Sequence, residues 1–509
     1  MMEWSTLLSS KRAREYSGRP NQTSTDLRSE FEKDYHRIIG SASFRRLQDK
    51  TQVYPLDQSD FIRTRLTHSL EVSSFAKSLG QNIGENILQY KKDSGFTQQM
   101  KEDICHILQC AGLIHDIGNP PFGHFGELAI REWFVRNIPQ LTYKDNPVSE
   151  ILSDQMQADF YHFEGNAQAL RLVTKLHHLV DEHGMNLTYA LLNTIIKYPV
   201  SSIQIDENTG NSKDKKMGYY YADEDIFTKI TKATKTFSSR HPLTYILEAA
   251  DDLAYKTADV EDGFVKGFIS YHDLVEELKK LESSAEEAGN SSYSPRSKES
   301  SSLNQRTGAK MATDYFSPTG YFNPTGYFNP LETLEKLYRR GCDGKHKNPE
   351  DYAIKNWIVR VQGFLIGCAT FGFTSNYNQI MSGTYKYDLF HDTFAEPLLK
   401  LLGDMAYKHV FTSHEIYKME VSGQVILNFL MDKLVTAALH FETDVKTNSL
   451  GERIMVFFSE NYVNAYRNQR EGKSEAEQLY LRLLLVTDFV CGMTDGYAKR
   501  LYQEFNGIR

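Results

Sequence analysis

Cysteine is scarce in this chain: five residues (Cys105, Cys110, Cys342, Cys368 and Cys491) and no CxxC pair. That argues against a disulfide-stapled scaffold and fits reduced thiols in a cytosol. Cys105 and Cys110 fall in helical apolar runs, where small buried thiols are common. Long hydrophobic runs are missing too. No uninterrupted stretch of about 18 apolar residues occurs, so the sequence offers no spanning helix and no membrane partner. The opening MMEWSTLLSSKRARE lacks the apolar stretch of a signal peptide. Excess positive charge is also absent: 58 Lys and Arg stand against 66 Asp and Glu, a net −8. An anionic substrate must therefore be met by a local basic pocket, not by a general field. A cytoplasmic protein is expected. Strand patterns are few, and residues 200–205 are the best alternating run.

What remains is helix. Val72, Phe75, Ala76, Leu79, Ile83 and Ile87 recur at the three-to-four spacing of one helix face, and Ile104, Ile107, Leu108, Ala111 and His115 do so again. A similar pattern runs from 475 to 505. The expected class is mostly α with few short strands. At 509 residues the chain exceeds a single core of ~100–200 residues, so more than one packed unit is expected. Residues 283–330 break the trend with a Ser-, Gly-, Asn- and Pro-rich composition that buries little apolar surface. Inside that stretch GYFNP occurs at 320–324 and 326–330 after a related DYFSP at 314–318, and such aromatics suit docking on the body or on a neighbouring subunit. The chain divides into a helical core at 1–265, a helix plus insertion at 266–345, and a C-terminal helical region at 346–509 packing on the core.

The densest chemistry is LIHDIGNPPFGHFGE at 113–127. Adjacent helical residues point about 100° apart, so His115 and Asp116 can grip one ion only near a helix end. Gly118, Pro120 and Pro121 end the helix there. Imidazole beside carboxylate makes a mixed N/O donor set suited to Mg, Mn, Fe, Co or Ni. Alone, such a dipeptide reads more readily as a capped surface pair. Context changes that balance: His68 stands near the start of a helix upstream, and an Asp pair, Asp251 and Asp252, stands on another helix downstream. His124 and Glu127 are three residues apart, which lets the carboxylate orient the imidazole if a helix begins at His124.

In the order His, then His-Asp, then a distant Asp, these residues resemble the HD phosphohydrolase superfamily, and within it the bacterial deoxyguanosine triphosphate triphosphohydrolases. The runs that carry the resemblance are RRLQDKTQVYPL (45–56), RTRLTHSLEV (63–72), HDIGNPPFGHFGE (115–127), HFEGNAQALRLV (162–173), EAADDLAY (248–255) and CGMTDGYA (491–498). They span most of the chain outside the Ser-rich stretch.

The resemblance implies His68, His115, Asp116 and Asp251 as ligands of a divalent ion, Mg or Mn first and Fe, Co or Ni also compatible. The family pattern of Asp, Tyr four on and Asp eight on selects Asp251, with Tyr255 and Asp259, over Asp252. It implies His124 and Glu127 as a catalytic dyad. Arg65, Lys197, Tyr198 and His162 match positions near the phosphates, and Asn119 falls where it lines the same cavity. Gln52, Tyr255 and Asp259 match residues that hold the 3′-hydroxyl, a tyrosine against the sugar excluding a 2′-hydroxyl. Glu420 and Arg453 fall near guanine-pocket positions, although the segment between them departs in length from the family pattern. Arg46 and Arg63 are nearby cations that read more readily as solvated surface charge.

The implied activity is hydrolysis of deoxynucleoside triphosphates, dGTP foremost, to deoxynucleoside and tripolyphosphate. The competing classes are another HD-type nucleotide phosphohydrolase or phosphodiesterase, with no need of Gln52, Tyr255 and Asp259 together, and a non-catalytic nucleotide- or single-stranded-DNA-binding protein, expected to have lost a ligand or the His-Glu pair. The resemblance also implies a homo-oligomer, up to a hexamer, and admits single-stranded DNA as a partner. No basic-aromatic stripe argues for that DNA independently.

Overall fold

The computed structural model describes residues 1–14, 26–54, 62–90, 92–177, 181–287, 328–445 and 449–508. The repeats at 314–318 and 320–324 and most of the Ser-rich stretch lie outside them. Among the described residues the architecture is helical, and the strands are one antiparallel pair, Thr142–Tyr143 with Asn146–Pro147. The alternating run at 200–205 is not a strand. Ser201 and Gln204 bond each other's backbone in a capping box and Ser202–Gln204 closes as a 3-10 turn, local bonds that win over the alternation.

Helix α1 (Arg65–Gln89) starts at a capping box in which Thr64 and Thr67 satisfy each other's backbone N–H, which fixes where the helix begins. Val72, Ala76, Leu79, Ile83 and Ile87 are buried along it as the periodicity requires. Helix α2 (Gln98–Ile114) lies along α1 so closely that a Cβ at Gly112 would fall 2.5 Å from the Ser73 backbone. Cys105 and Cys110 are buried on α2, and burial pushes both thiols up. Helix α3 (Gly123–Asn137) follows the Pro-Pro turn, and the short α4 (Gly165–Arg171) backs that turn: a Cβ at Gly118 would meet Ala169 N at 2.1 Å. Helix α5 (Pro242–Val265) packs against both α1 and α2.

The later half packs onto this group. Helix α6 (Pro330–Asp343) lies on α7 (Pro349–Ser375), and α7 in turn on α1 and α5. By length and composition α7 could cross a membrane, its most apolar window reaching a mean hydropathy of 1.2, but half of that window is buried inside this body. The end of the second GYFNP repeat docks here: Phe328 stacks on Phe364 at 4.6 Å, Asn329 caps α6, and Trp357 Nε1 donates to the Pro330 carbonyl at 2.8 Å. Helix α8 (Glu396–Ala406) runs into a π turn at Tyr407–Phe411, and α9 (His414–Ala438) packs on α3. Helices α10 (Glu475–Cys491) and α11 (Asp495–Phe505) divide the late periodic stretch, with Thr494 capping the second. Buried Arg171 on α4 ties α10 inward through Asp488 at 2.8 Å.

Candidate active site and metal centre

The close approach of α1 and α2 sets the His68 and His115 rings 5.3 Å apart. His68 sits in the first turn of α1, and His115 is the residue at which α2 ends. Asp251, midway along α5, meets both: its Oδ1 lies 3.2 Å from His68 Nε2 and 3.3 Å from His115 Nε2. Each residue offers one donor atom, and all three atoms lie within 4.8 Å of one another. Asp116 sits at the edge of the group, with Oδ1 3.6 Å from His115 Nε2 and its other oxygen held by Arg65. Asp252 stands outside this donor group. Its side chain is 41% exposed and faces Lys256 at 3.7 Å.

The donor chemistry fits a divalent cation. His115 Nδ1 lies 2.8 Å from the Gly112 carbonyl, a contact that orients the ring and turns Nε2 toward the carboxylate. That buried Nε2 has no hydrogen-bond partner. Separations of 3.2–3.3 Å suit neighbouring ligands around an ion bonded at ~2.0–2.2 Å. Burial works to raise the Asp251 carboxyl, but the Lys197 ammonium, 2.9 Å away, and His115 hold it well below the usual carboxylate range. Asp116 is held down likewise by His115 and Arg65 against its burial.

The second cluster belongs to α3. Phe122 and Gly123 both adopt left-handed backbone (φ 63° and 58°), and this reversal launches α3 with His124 in its first turn. For a buried phenylalanine that conformation is strained by about 1–3 kcal/mol, so surrounding contacts must impose it. His124 Nδ1 lies 2.8 Å from Glu127 Oε2. Glu127 is buried, and its other oxygen accepts the Gly165 N–H at 2.8 Å. Burial works to raise its carboxyl, yet the His124 bond and Lys216 hold it down. His124 itself is 77% exposed, so it is an oriented and accessible imidazole and does not pack beneath the turn.

Both clusters open into one cavity of about 600 Å³, within the range of ligand sites. Of the residues expected at the site, Gln52, Arg65, Asp116, Asn119, His124, Glu127, Asp251, Tyr255 and Glu420 line it, and Asp252 joins them. Lys197 stands behind Asp251. Asp259 is buried and bonded to Tyr255, and burial pushes its carboxyl well up. Tyr198 is half-buried beside Lys197, and neither it nor the exposed His162 and Arg453 contributes to the lining.

Of the two cations read as solvated surface charge, Arg46 is exposed and Arg63 departs from that reading. Arg63 is not a solvated charge: Glu71, Glu261 and Asp262 enclose it. Arg46 donates to the Gly492 carbonyl, away from the cavity. The far wall was not foreseen. It is Tyr407 and Phe411 from the π turn, with Tyr417 from α9, and Phe411 lies parallel to Tyr255 at 6.3 Å. Asp495 was foreseen only as a letter in a matching run. It accepts the N–H of Thr51 at 3.0 Å and of Phe122 at 2.9 Å.

Comparison with known proteins places the chain among named relatives. The HD domain family matches residues 65–190. A deoxyguanosinetriphosphate triphosphohydrolase-like protein of Listeria innocua is 44% identical over 510 residues, covering the whole of both chains. A like-named protein of Synechocystis is 31% identical, again over both whole chains. A deoxyguanosinetriphosphate triphosphohydrolase of Yersinia pestis is 30% identical over 94% of this chain and 93% of its own.

Proposed function

The chain belongs to the deoxyguanosinetriphosphate triphosphohydrolase family of HD-domain phosphohydrolases, and on that premise we propose that it cleaves deoxynucleoside triphosphates, dGTP foremost, into deoxynucleoside and tripolyphosphate. Family membership makes it a metal-dependent phosphohydrolase. The observation that carries the finer reading is the shared cavity: metal-type donors and an exposed His124, oriented by buried Glu127, open into the space that Tyr255 and Glu420 line.

His68, His115, Asp116 and Asp251 would hold the ion, Mg or Mn first among the candidates. When bound, it supplies Lewis-acid polarisation of a phosphate oxygen and acidifies a water. His124 carries a proton to the leaving 5′-oxygen or takes one from the attacking water, and Glu127 orients it. Arg65 offers a planar fork to the phosphates and Lys197 a point charge, each turning from the carboxylate that now holds it. Gln52, Tyr255 and Asp259 hold the 3′-hydroxyl, and the Tyr255 ring, backed by Phe411, closes the space a 2′-hydroxyl needs. Glu420 accepts from base N–H groups between Tyr407 and Tyr417. Arg453, exposed on its own helix, has no part in this subsite.

Turnover of the four dNTPs and of GTP, with Mg or Mn, tests the reading. The wild type releases deoxynucleoside from dNTPs, fastest from dGTP, and handles GTP worse by about 10²-fold, the discrimination a close-fitting wall provides. Tyr255→Ala narrows that ratio to about tenfold. A wild-type protein that releases no deoxynucleoside from any dNTP contradicts the proposal.

A further inference from the structure

We infer that Asp495 is a positioning residue for the reaction, clamping the turn that carries His124 to the segment that carries Gln52. The inference rests on the function proposed for this cavity and goes beyond it to residues that never touch the substrate.

Asp495 is the first residue of α11 and is 2% exposed. A buried carboxylate is costly unless both oxygens are satisfied, and here each is taken by a backbone N–H from a different wall of the cavity. Oδ2 holds Thr51, the residue before Gln52, whose segment also bridges to Thr64 at the start of α1. Oδ1 holds Phe122, whose left-handed backbone sets the direction in which α3, and with it His124, departs. Such a conformation persists in a bulky residue only where its surroundings dictate it.

Lys50 makes a parallel brace. It is buried, and its ammonium donates to the Asn119 and Cys491 carbonyls at 2.6 Å each. The short link between α10 and α11 thus grips the Lys50–Thr51 segment twice and the Phe122 turn once, across more than 370 residues of sequence, and Lys50 ties the two walls directly. An imidazole that must meet a leaving oxygen tolerates little displacement, since misplacement by about 1 Å can cost about 10²-fold. The clamp supplies that precision from outside the cavity.

Asp495→Asn tests the clamp, keeping the shape while removing one of the two acceptors. The expected result is a kcat lower by about 10–10²-fold with KM within about threefold, and unchanged bound Mn. Amide hydrogen exchange across 119–124 becomes faster, while α1 and α5 keep their protection. In a His124→Ala background the same substitution removes less than about threefold, because the group being positioned is already gone. An equal loss in both backgrounds makes Asp495 a general stabiliser and overturns the inference, as does unchanged exchange at 119–124 in the single variant. The exchange measurement does not depend on turnover. A wild type inactive on every dNTP therefore counts against the proposed function, while faster exchange in Asp495→Asn still upholds the clamp.

Discussion

Asp251→Ala is expected to empty the metal centre and abolish turnover. Among the described residues Asp251 is the one group that meets both histidines, at 3.2 and 3.3 Å, so its loss removes a ligand and the anion that pairs the two imidazoles. Without an ion the water is no longer acidified from a pKa of about 15.7 toward about 7, so a fall of at least ~10³-fold is expected. Lys197 also loses its partner, and a buried cation left alone destabilises. Asp251→Asn, which keeps the shape, separates loss of metal from loss of fold. Asp252→Ala should lower activity by no more than the ~10–100-fold of an outer group, because Asp252 lines the cavity yet faces Lys256. Elemental analysis with steady-state rates checks both, and a more damaging Asp252→Ala moves the ligand by one residue.

His124→Ala is expected to cut kcat by ~10²–10⁴-fold, the usual contribution of a placed acid or base, with bound metal near the wild-type level. His124 contacts Glu127 and is absent from the three-residue donor cluster, so removing it leaves that cluster whole. Glu127 retains the Gly165 N–H, which limits the structural cost. Metal lost from this variant would place His124 among the ligands and end the dyad assignment.

What the sequence revealed follows from how local each signal is. The His115-Asp116 pair, the Pro-Pro turn and His124 with Glu127 lie within fifteen consecutive residues, and His68 upstream, the Asp pair downstream and the family resemblance turned that cluster into a site. Asp251 was separable from Asp252 through the family pattern that the chain resembles, whose Tyr four on and Asp eight on are matched by Tyr255 and Asp259, and the fold puts Asp251 against the histidines. Arg63 misled because its three carboxylates lie 8, 198 and 199 positions away. Residues 200–205 misled because two side-chain bonds outweigh six residues of alternation. Tyr407 and Phe411 were hidden by the π turn, whose spacing departs from the 3.6-residue period. Asp495 stood in plain view in CGMTDGYA, but only the folded chain brings Thr51 and Phe122 to its oxygens.

The proposed cleavage parts the nucleoside from the α-phosphate and releases the triphosphate whole. Phosphorus NMR of a complete dGTP digest by the wild-type protein with Mn or Mg, run beside a nucleoside assay, reads the position of that cleavage along the phosphate chain. One equivalent of tripolyphosphate and one of deoxyguanosine are expected, with neither pyrophosphate nor orthophosphate accumulating. Pyrophosphate with deoxyguanosine monophosphate, or orthophosphate with the diphosphate, would place cleavage elsewhere in the chain of phosphates and contradict it.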